Sequence, residues 1–179
     1  MIIEKSTVDG YICGFRDGNR DDFDALYRYT REFLYMYALS VVKDRFAADD
    51  AVQDAFIRVY RYAEKYKPGT NALAWLIEIT KNAAINAKND RGAVVIVDKS
   101  SRAEKAIEGP ERAAADADYM EYMLKKLSAG ERQVVTVHLY GDCTLKETAE
   151  ILGIPATTAE WRYKSALKKL KRALEADKL

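Results

Sequence analysis

Apolar residues three and four apart recur through almost the whole of this chain, and a strand-like run occurs once. Phe23, Leu26, Tyr27, Thr30, Phe33, Leu34, Tyr37, Ala38 and Val41 fall on one face of a helix. Ala51, Val52, Ala55, Phe56, Val59, Tyr60 and Ala63 fall on one face of the next. A third helix is expected from about residue 71 to 90, with Trp75, Leu76, Ile79 and Ala83 inward, and Pro68-Gly69 breaks it from the second. A shorter helix near residues 6 to 15 precedes them. The exception is "AVVIV", Ala93 to Val97, which has no second run to pair with. An isolated strand makes no sheet, so this segment reads as extended linker and the expected fold is all-α.

The helices group into two small domains joined by a flexible linker. Residues 1–91 hold a bundle, residues 92–118 a linker rich in Ala, Glu, Ser and Lys with Gly109-Pro110 inside it, and residues 119–179 a second domain. That domain opens with a helix over residues 119–127, and two capping boxes follow, Ser128 with Glu131 and Thr144 with Glu147. In each, the hydroxyl can accept from the third helical N–H while the glutamate reaches back to the cap, so each marks a helix start. Gly141-Asp142 lies between the two helices. The second ends near Leu152, Gly153 supplies a permissive turn, and Pro155 can open the next helix, where its missing N–H costs nothing. Ala149 is small enough for two helices to cross closely, with Leu152, Ile154, Ala159 and Leu167 to bury the seam. The pattern is a helix-turn-helix.

Composition removes several classes of function. With 179 residues and 49% apolar content the chain can build packed cores. No apolar run reaches the roughly 18 residues of a membrane span, and Met1 to Gly10 lacks the blocks of a signal peptide, so a cytoplasmic protein is expected. Cys13 and Cys143 share no ligand spacing with the lone His138, which points to reduced thiols, a half-buried packing role for the histidine, and no metal or cofactor. An enzyme would need a nucleophile-base pair, a metal cluster or a phosphate loop. The sequence offers none of them, so no catalytic activity is expected.

The formal net charge is only +1, yet it is unevenly spread. Residues 1–91 carry 14 basic and 14 acidic groups, residues 92–118 carry 4 and 6, and residues 119–179 carry 11 and 8. Arg162 to Arg172 holds six basic residues and no acid. Alone, such a run fits a solvated helix face. On the second arm of a helix-turn-helix it fits DNA, because the first turns of that arm enter the major groove. The side chains available there are Thr157, Thr158, Glu160, Trp161, Arg162 and Lys164. Arg162 suits a guanine edge or a phosphate, Glu160 a cytosine amino group, and Lys168 with its neighbours the phosphates.

Four stretches in this order resemble the extracytoplasmic-function group of bacterial sigma factors, of the sigma-70 family. They are "GNRDDFDALYRY", "AADDAVQDAFIRVYRY", "NALAWLIEITKNAAINAKND" and "LSAGERQVVTVHLYGDCTLKETAEILGIPATTAEWRYKSALKKL". The resemblance implies a region 2-like bundle that docks core RNA polymerase and melts the minus-ten element. It further implies a region 4-like helix-turn-helix that reads the minus-thirty-five element. In "DDAVQDAF", Asp50, Gln53 and Asp54, beside Asp49, form a polar stripe. By family likeness that stripe meets the clamp of the polymerase largest subunit, while the C-terminal domain meets the flap of the second.

Melting rewards aromatic faces for stacking and cations for the backbone. Tyr66, Lys67, Trp75, Lys81 and Arg91 are of that kind, and Asn71, Asn82 and Asn86 can bond exposed base edges. By resemblance, the loop "KYKPGTNA" pockets a flipped minus-ten base. The linker can extend to about 90 Å, enough to span promoter elements about 17 base pairs, or roughly 58 Å, apart. Where the family has a Ser start, a basic residue and a paired Arg after the turn, this chain has Pro155, Glu160 and Trp161, which implies altered or weakened minus-thirty-five recognition. The family also implies an anti-sigma partner. A stand-alone helix-turn-helix regulator is the alternative, and it would need a dimer to read paired half-sites.

Overall fold

The computed structural model of the chain describes residues 3–94 and 122–176, with side chains to residue 89 in the first segment. Helices α1 (Lys5–Arg16), α2 (Arg20–Val42) and α3 (Arg45–Tyr62), a 3-10 turn (Ala63–Lys65) and α4 (Ala72–Val94) form the N-terminal bundle. A helical stretch at residues 122–125, then α5 (Ala129–Tyr140), α6 (Leu145–Leu152) and α7 (Ala156–Ala176), form the C-terminal unit. No strand occurs among the described residues.

Local chemistry sets the helix ends. Asn19 caps α2 by accepting from the Asp21 amide at 3.2 Å, and Asp21 and Asp22 add negative charge to the first turn. Lys43 ends α2 in the left-handed region at φ 61°, and Asp44 at once caps α3 by accepting from the Ala47 amide at 2.7 Å. A two-residue connection therefore folds α2 and α3 into a tight antiparallel pair. Between them and α4 lie Leu26, Leu34, Val59, Leu73 and Leu76, all 1% exposed or less. Each such side chain contributes about 1.5–3 kcal/mol of burial.

Both expected capping boxes form, at Ser128/Glu131 and Thr144/Glu147. Gly153 ends α6 at φ 63°, and the Ile154 amide closes back on the Ala149 carbonyl at 3.0 Å, the left-handed helix stop that glycine makes cheaply. Pro155 stands just before α7, where its carbonyl accepts from Thr158 and Ala159 at 3.0 and 3.1 Å. In the other turn it is Asp142, at φ 46°, that takes the left-handed conformation. Gly141 is there for space, since a Cβ would lie 2.5 Å from the Val137 carbonyl and 3.2 Å from the Phe33 ring.

That last contact reaches α2, because the C-terminal unit rests on the bundle. Ser40 is among the last four residues of α2, whose carbonyls have no partner inside the helix. Arg132, buried in α5, fills that need by donating Nε to the Ser40 carbonyl at 2.7 Å, while its Nη1 donates to the Leu127 carbonyl at 2.5 Å. Phe33, Met36 and Ser40 share the α2 face so covered. Lys5 of α1 also pairs with Glu147 of α6 at 2.5 Å.

Several expectations need correction. Helix α4 carries on through Val94, so Ala93 and Val94 are helical rather than extended. The rest of "AVVIV" and the linker as far as residue 121 lie outside the described residues. Tyr27 and Tyr60, expected inward, are 38% and 54% exposed, and Leu167 at 45% does not bury the seam.

Candidate nucleic-acid interface

Three surfaces carry the residues singled out from the sequence, and each sits on its own element. The first is the outer face of α3, where Asp49, Asp50, Gln53 and Asp54 follow one another along the helix. Gln53 and Asp50 are exposed, and Asp49 and Asp54 half-buried. Asp49 lies 3.6 Å from Arg31, and burial pushes its carboxyl up despite that cation. Asp54 is bonded by Arg58 one turn on, at 2.8 and 2.9 Å. Beside Gln53 opens an apolar groove of about 340 Å³ between α2 and α3, lined by Phe23, Tyr27, Phe56, Ile57 and Tyr60. The polar stripe therefore meets the aromatic edges at Gln53. Helical spacing alone assigned Tyr27 and Tyr60 to the core because their ring faces continue the buried stripe; they cover its margin instead.

The second surface is the loop before α4 together with the outer face of that helix. Tyr66, read as a stacking platform, is 3% exposed and packs its ring 5.1 Å from that of Trp75. Its hydroxyl donates to the Asp9 carboxylate of α1, and burial followed by that bond pushes its pKa up, so it stays protonated. Asn71 spends its side-chain oxygen on the Ala74 amide at 3.1 Å as the cap of α4. Both residues thus shape the loop from within. Lys67 and Pro68 are exposed at its tip, and Gly69 turns it at φ 74°. Along α4, half-buried Trp75 leads a row one turn apart that continues through Glu78, Asn82 and Asn86, with Ile85 exposed beside it. Glu78 holds both Lys81 and the Asn82 amide at 3.4 Å. The Arg91 side chain lies outside the described residues.

The third surface is the first half of α7. Thr157, Glu160, Trp161, Lys164 and Lys168 are exposed, Trp161 at 67%, and Thr158 and Arg162 are half-buried. Arg162 folds back over α5, so close that a Cβ on Gly130 would lie 2.8 Å from its guanidinium carbon. The helix is fixed from below by one carboxylate. Glu131 is 3% exposed and accepts from the Ser128 amide, the Ser165 hydroxyl and Lys169, at 2.7, 2.7 and 2.8 Å. Burial alone would raise its pKa, but those donors outweigh burial and hold it at about 2. Lys169, still partly exposed, is paired there, and Lys164 and Lys168 stand outward beside it. His138 packs edge-on against Tyr163 at 4.7 Å, and its Nδ1 lies 2.5 Å from the Cys143 carbonyl.

Among the described residues no group of His, Cys, Asp and Glu could hold a metal ion, and no helix is long and apolar enough to cross a membrane.

Comparison with known proteins gives this arrangement a family. Residues 26–94 match the model for sigma-70 region 2, and residues 123–172 match that for sigma-70 region 4, together about two thirds of the chain. The ECF RNA polymerase sigma factor SigM of Bacillus subtilis is 24% identical over 156 residues, 86% of this chain and 93% of that protein. SigL of Mycobacterium tuberculosis is 28% identical over 155 residues, 84% of this chain and 88% of that protein. Among solved structures, CnrH in complex with the cytosolic domain of CnrY aligns with a TM-score of 0.71 at 23% identity, covering 96% of this chain and 99% of that one. The sigma factor RpoE of Bartonella quintana, in complex with the anti-sigma factor NepR, aligns with a TM-score of 0.68 at 24% identity, covering 87% and 98%. With both regions present in the family's order, the chain belongs to the extracytoplasmic-function sigma factors of the sigma-70 family, transcription initiation factors that direct RNA polymerase to promoters.

Proposed function

We propose that the α3 stripe docks the clamp of the polymerase largest subunit, that the loop at residues 66–71 with the outer face of α4 melts and reads the minus-ten element, and that α7 reads the minus-thirty-five element. The observation that carries this reading is the separation of the three surfaces: each is exposed, and none is used to build another. A coiled coil of mixed polar and apolar character suits the α3 face, where Gln53 lines the groove with Tyr27, Ile57 and Tyr60. Lys67 can meet backbone phosphate, Trp75, Asn82 and Asn86 can meet unstacked bases, and Tyr66 and Asn71 support the loop that brings them together. On α7 the exposed set is Thr157, Glu160, Trp161, Lys164 and Lys168; Arg162 must leave Gly130 before it reaches DNA.

The protein acts without catalysis, in the cytoplasm where its polymerase is. The C-terminal unit also meets the flap of the second subunit. Its resting place against α2 is the compact state of the free chain, and promoter elements roughly 58 Å apart require it to leave. An anti-sigma partner holding the compact state is in keeping with the two solved neighbours, each a complex with a second protein.

Binding of labelled full chain to core polymerase, followed by fluorescence anisotropy, tests the first assignment. The chain carrying both D50A and D54A is expected to bind at least about tenfold more weakly, the loss of roughly 1.4 kcal/mol. Unchanged affinity would move the docking surface elsewhere.

A further inference from the structure

The loop that carries the minus-ten reading does not hold its own shape. Its inner bonds are few: the Thr70 amide and hydroxyl reach the Lys67 carbonyl at 3.3 and 2.7 Å, and the Tyr66 hydroxyl approaches the Thr70 carbonyl at 3.3 Å. The strongest partner comes from outside. Asp9, on α1 and 57 residues earlier, accepts with one carboxylate oxygen from both the Tyr66 hydroxyl and the Gly69 amide, the latter at 3.1 Å. These two donors stand at opposite ends of the exposed tip. Tyr66 is anchored by burial against Trp75, whereas Gly69 is exposed and left-handed, so the carboxylate ties the exposed half of the turn to the packed half.

We propose that Asp9 is a positioning residue for promoter choice. By fixing Gly69 against Tyr66 it sets where Lys67 and Pro68 stand relative to Trp75 and Asn82, and hence which base is accepted at one position of the minus-ten element. The inference rests on the proposed reading of the loop as a base pocket. Bonds to a charged acceptor are the strong ones, and a buried hydroxyl deprived of its acceptor seeks another. Without the carboxylate, Tyr66 and Gly69 lose their common partner and the tip relaxes. Asp9 itself faces the loop from behind and touches no base.

The test uses full chain with core polymerase and templates carrying each base at each minus-ten position, with abortive initiation rates as the readout. A mismatched base at a read position typically costs about 5- to 150-fold. Asp9→Ala is expected to shrink that ratio by at least about fivefold at one position, with ratios at the minus-thirty-five element and affinity for core kept within about twofold. Tyr66→Phe, which keeps the packed ring and removes only the hydroxyl, should move the same position in the same direction, and Asp9→Asn, still an acceptor, should retain most of the ratio. A rate that falls equally for all bases in Asp9→Ala and Tyr66→Phe, or ratios that do not change, would overturn the inference. If the chain with Lys67→Ala and Asn82→Ala also keeps native ratios, the loop reading fails with it. If those ratios collapse while Asp9→Ala leaves them intact, the inference alone fails.

Discussion

The N-terminal bundle and the C-terminal unit are both helical, but they are built differently. One continuous core runs from Val8 and Ile12 of α1 through Leu26, Leu34 and Tyr37 of α2 to Leu73 and Leu76 of α4, and Leu124, Leu127, Val135, Val137 and Ile151 of the C-terminal unit join it. The helix-turn-helix keeps for itself a small cluster, Val134, Ala149 and Ala159, packed round by Leu145, Leu152, Ile154 and Tyr163. Its other buried apolar residues join the bundle core, and it adds polar connections: two capping boxes, the buried Glu131 and the Arg132 clasp on α2. The comparison teaches that the bundle is held by its own packing, whereas the C-terminal unit packs onto a core it shares with the bundle and adds hydrogen bonds that fix it there. Releasing such a unit exposes the α2 face it covers, with Phe33 and the Ser40 carbonyl on it.

The largest effect should come from the bundle. Leu34→Ala or Leu73→Ala, each at a site with no exposure, is expected to cost about 2–5 kcal/mol in denaturant unfolding and to lower both units together. Arg132→Ala should cost about 2 kcal/mol, because the Ser40 and Leu127 carbonyls lose their donor. Hydrogen exchange would locate that loss in α5 to α7 while amides of α3 and α4 stay protected. Equal loss of protection in both units would break the comparison. Ser128→Ala is expected to cost about 1 kcal/mol, confined again to the C-terminal unit.

Acid should separate the units as well. Glu131 is held at about 2 against an ordinary 4.5, so the stability it supplies is complete above pH 4.5 and is lost as the pH falls from there toward 2. The helix-turn-helix is expected to lose exchange protection in that window, and Glu131→Gln to flatten the dependence. A native pH profile in Glu131→Gln would show that another group controls it. The smallest effect belongs to Lys5→Ala, whose half-buried, solvent-reachable pair with Glu147 is expected to contribute under about 1 kcal/mol and to weaken in high salt.

Most of the fold was legible because its signals are local. The capping boxes, the Gly153 stop and the spacing of Leu26, Leu34, Val52 and Val59 depend on residues a few positions apart. What was hidden depends on distant partners. Met36, Leu39 and Ser40 are buried although none was placed on the expected face of α2, and the Ser40 carbonyl is held by Arg132, 92 residues on. Tyr66 was read as a platform because an aromatic beside lysines suits DNA, and only the Asp9 carboxylate, 57 residues away, shows that its hydroxyl is already engaged. Arg162 was read as a DNA contact from its place on α7; the glycine at 130 that gives it a seat carries no signal in sequence. The stripe from Asp49 to Asp54 was found from spacing, but the groove beside it was not, because Tyr27 and Tyr60 fit a buried pattern equally well.

Run-off transcription tests the central claim most directly, with purified core polymerase, a supercoiled promoter library, and this chain either present or absent. New start sites are expected only with the chain, sharing both a minus-ten and a minus-thirty-five element, and they should disappear when Asp50 and Asp54 become alanine. No new transcripts, together with sequence-specific DNA binding by the chain alone, would contradict the account and leave a regulator that works without carrying polymerase to the promoter.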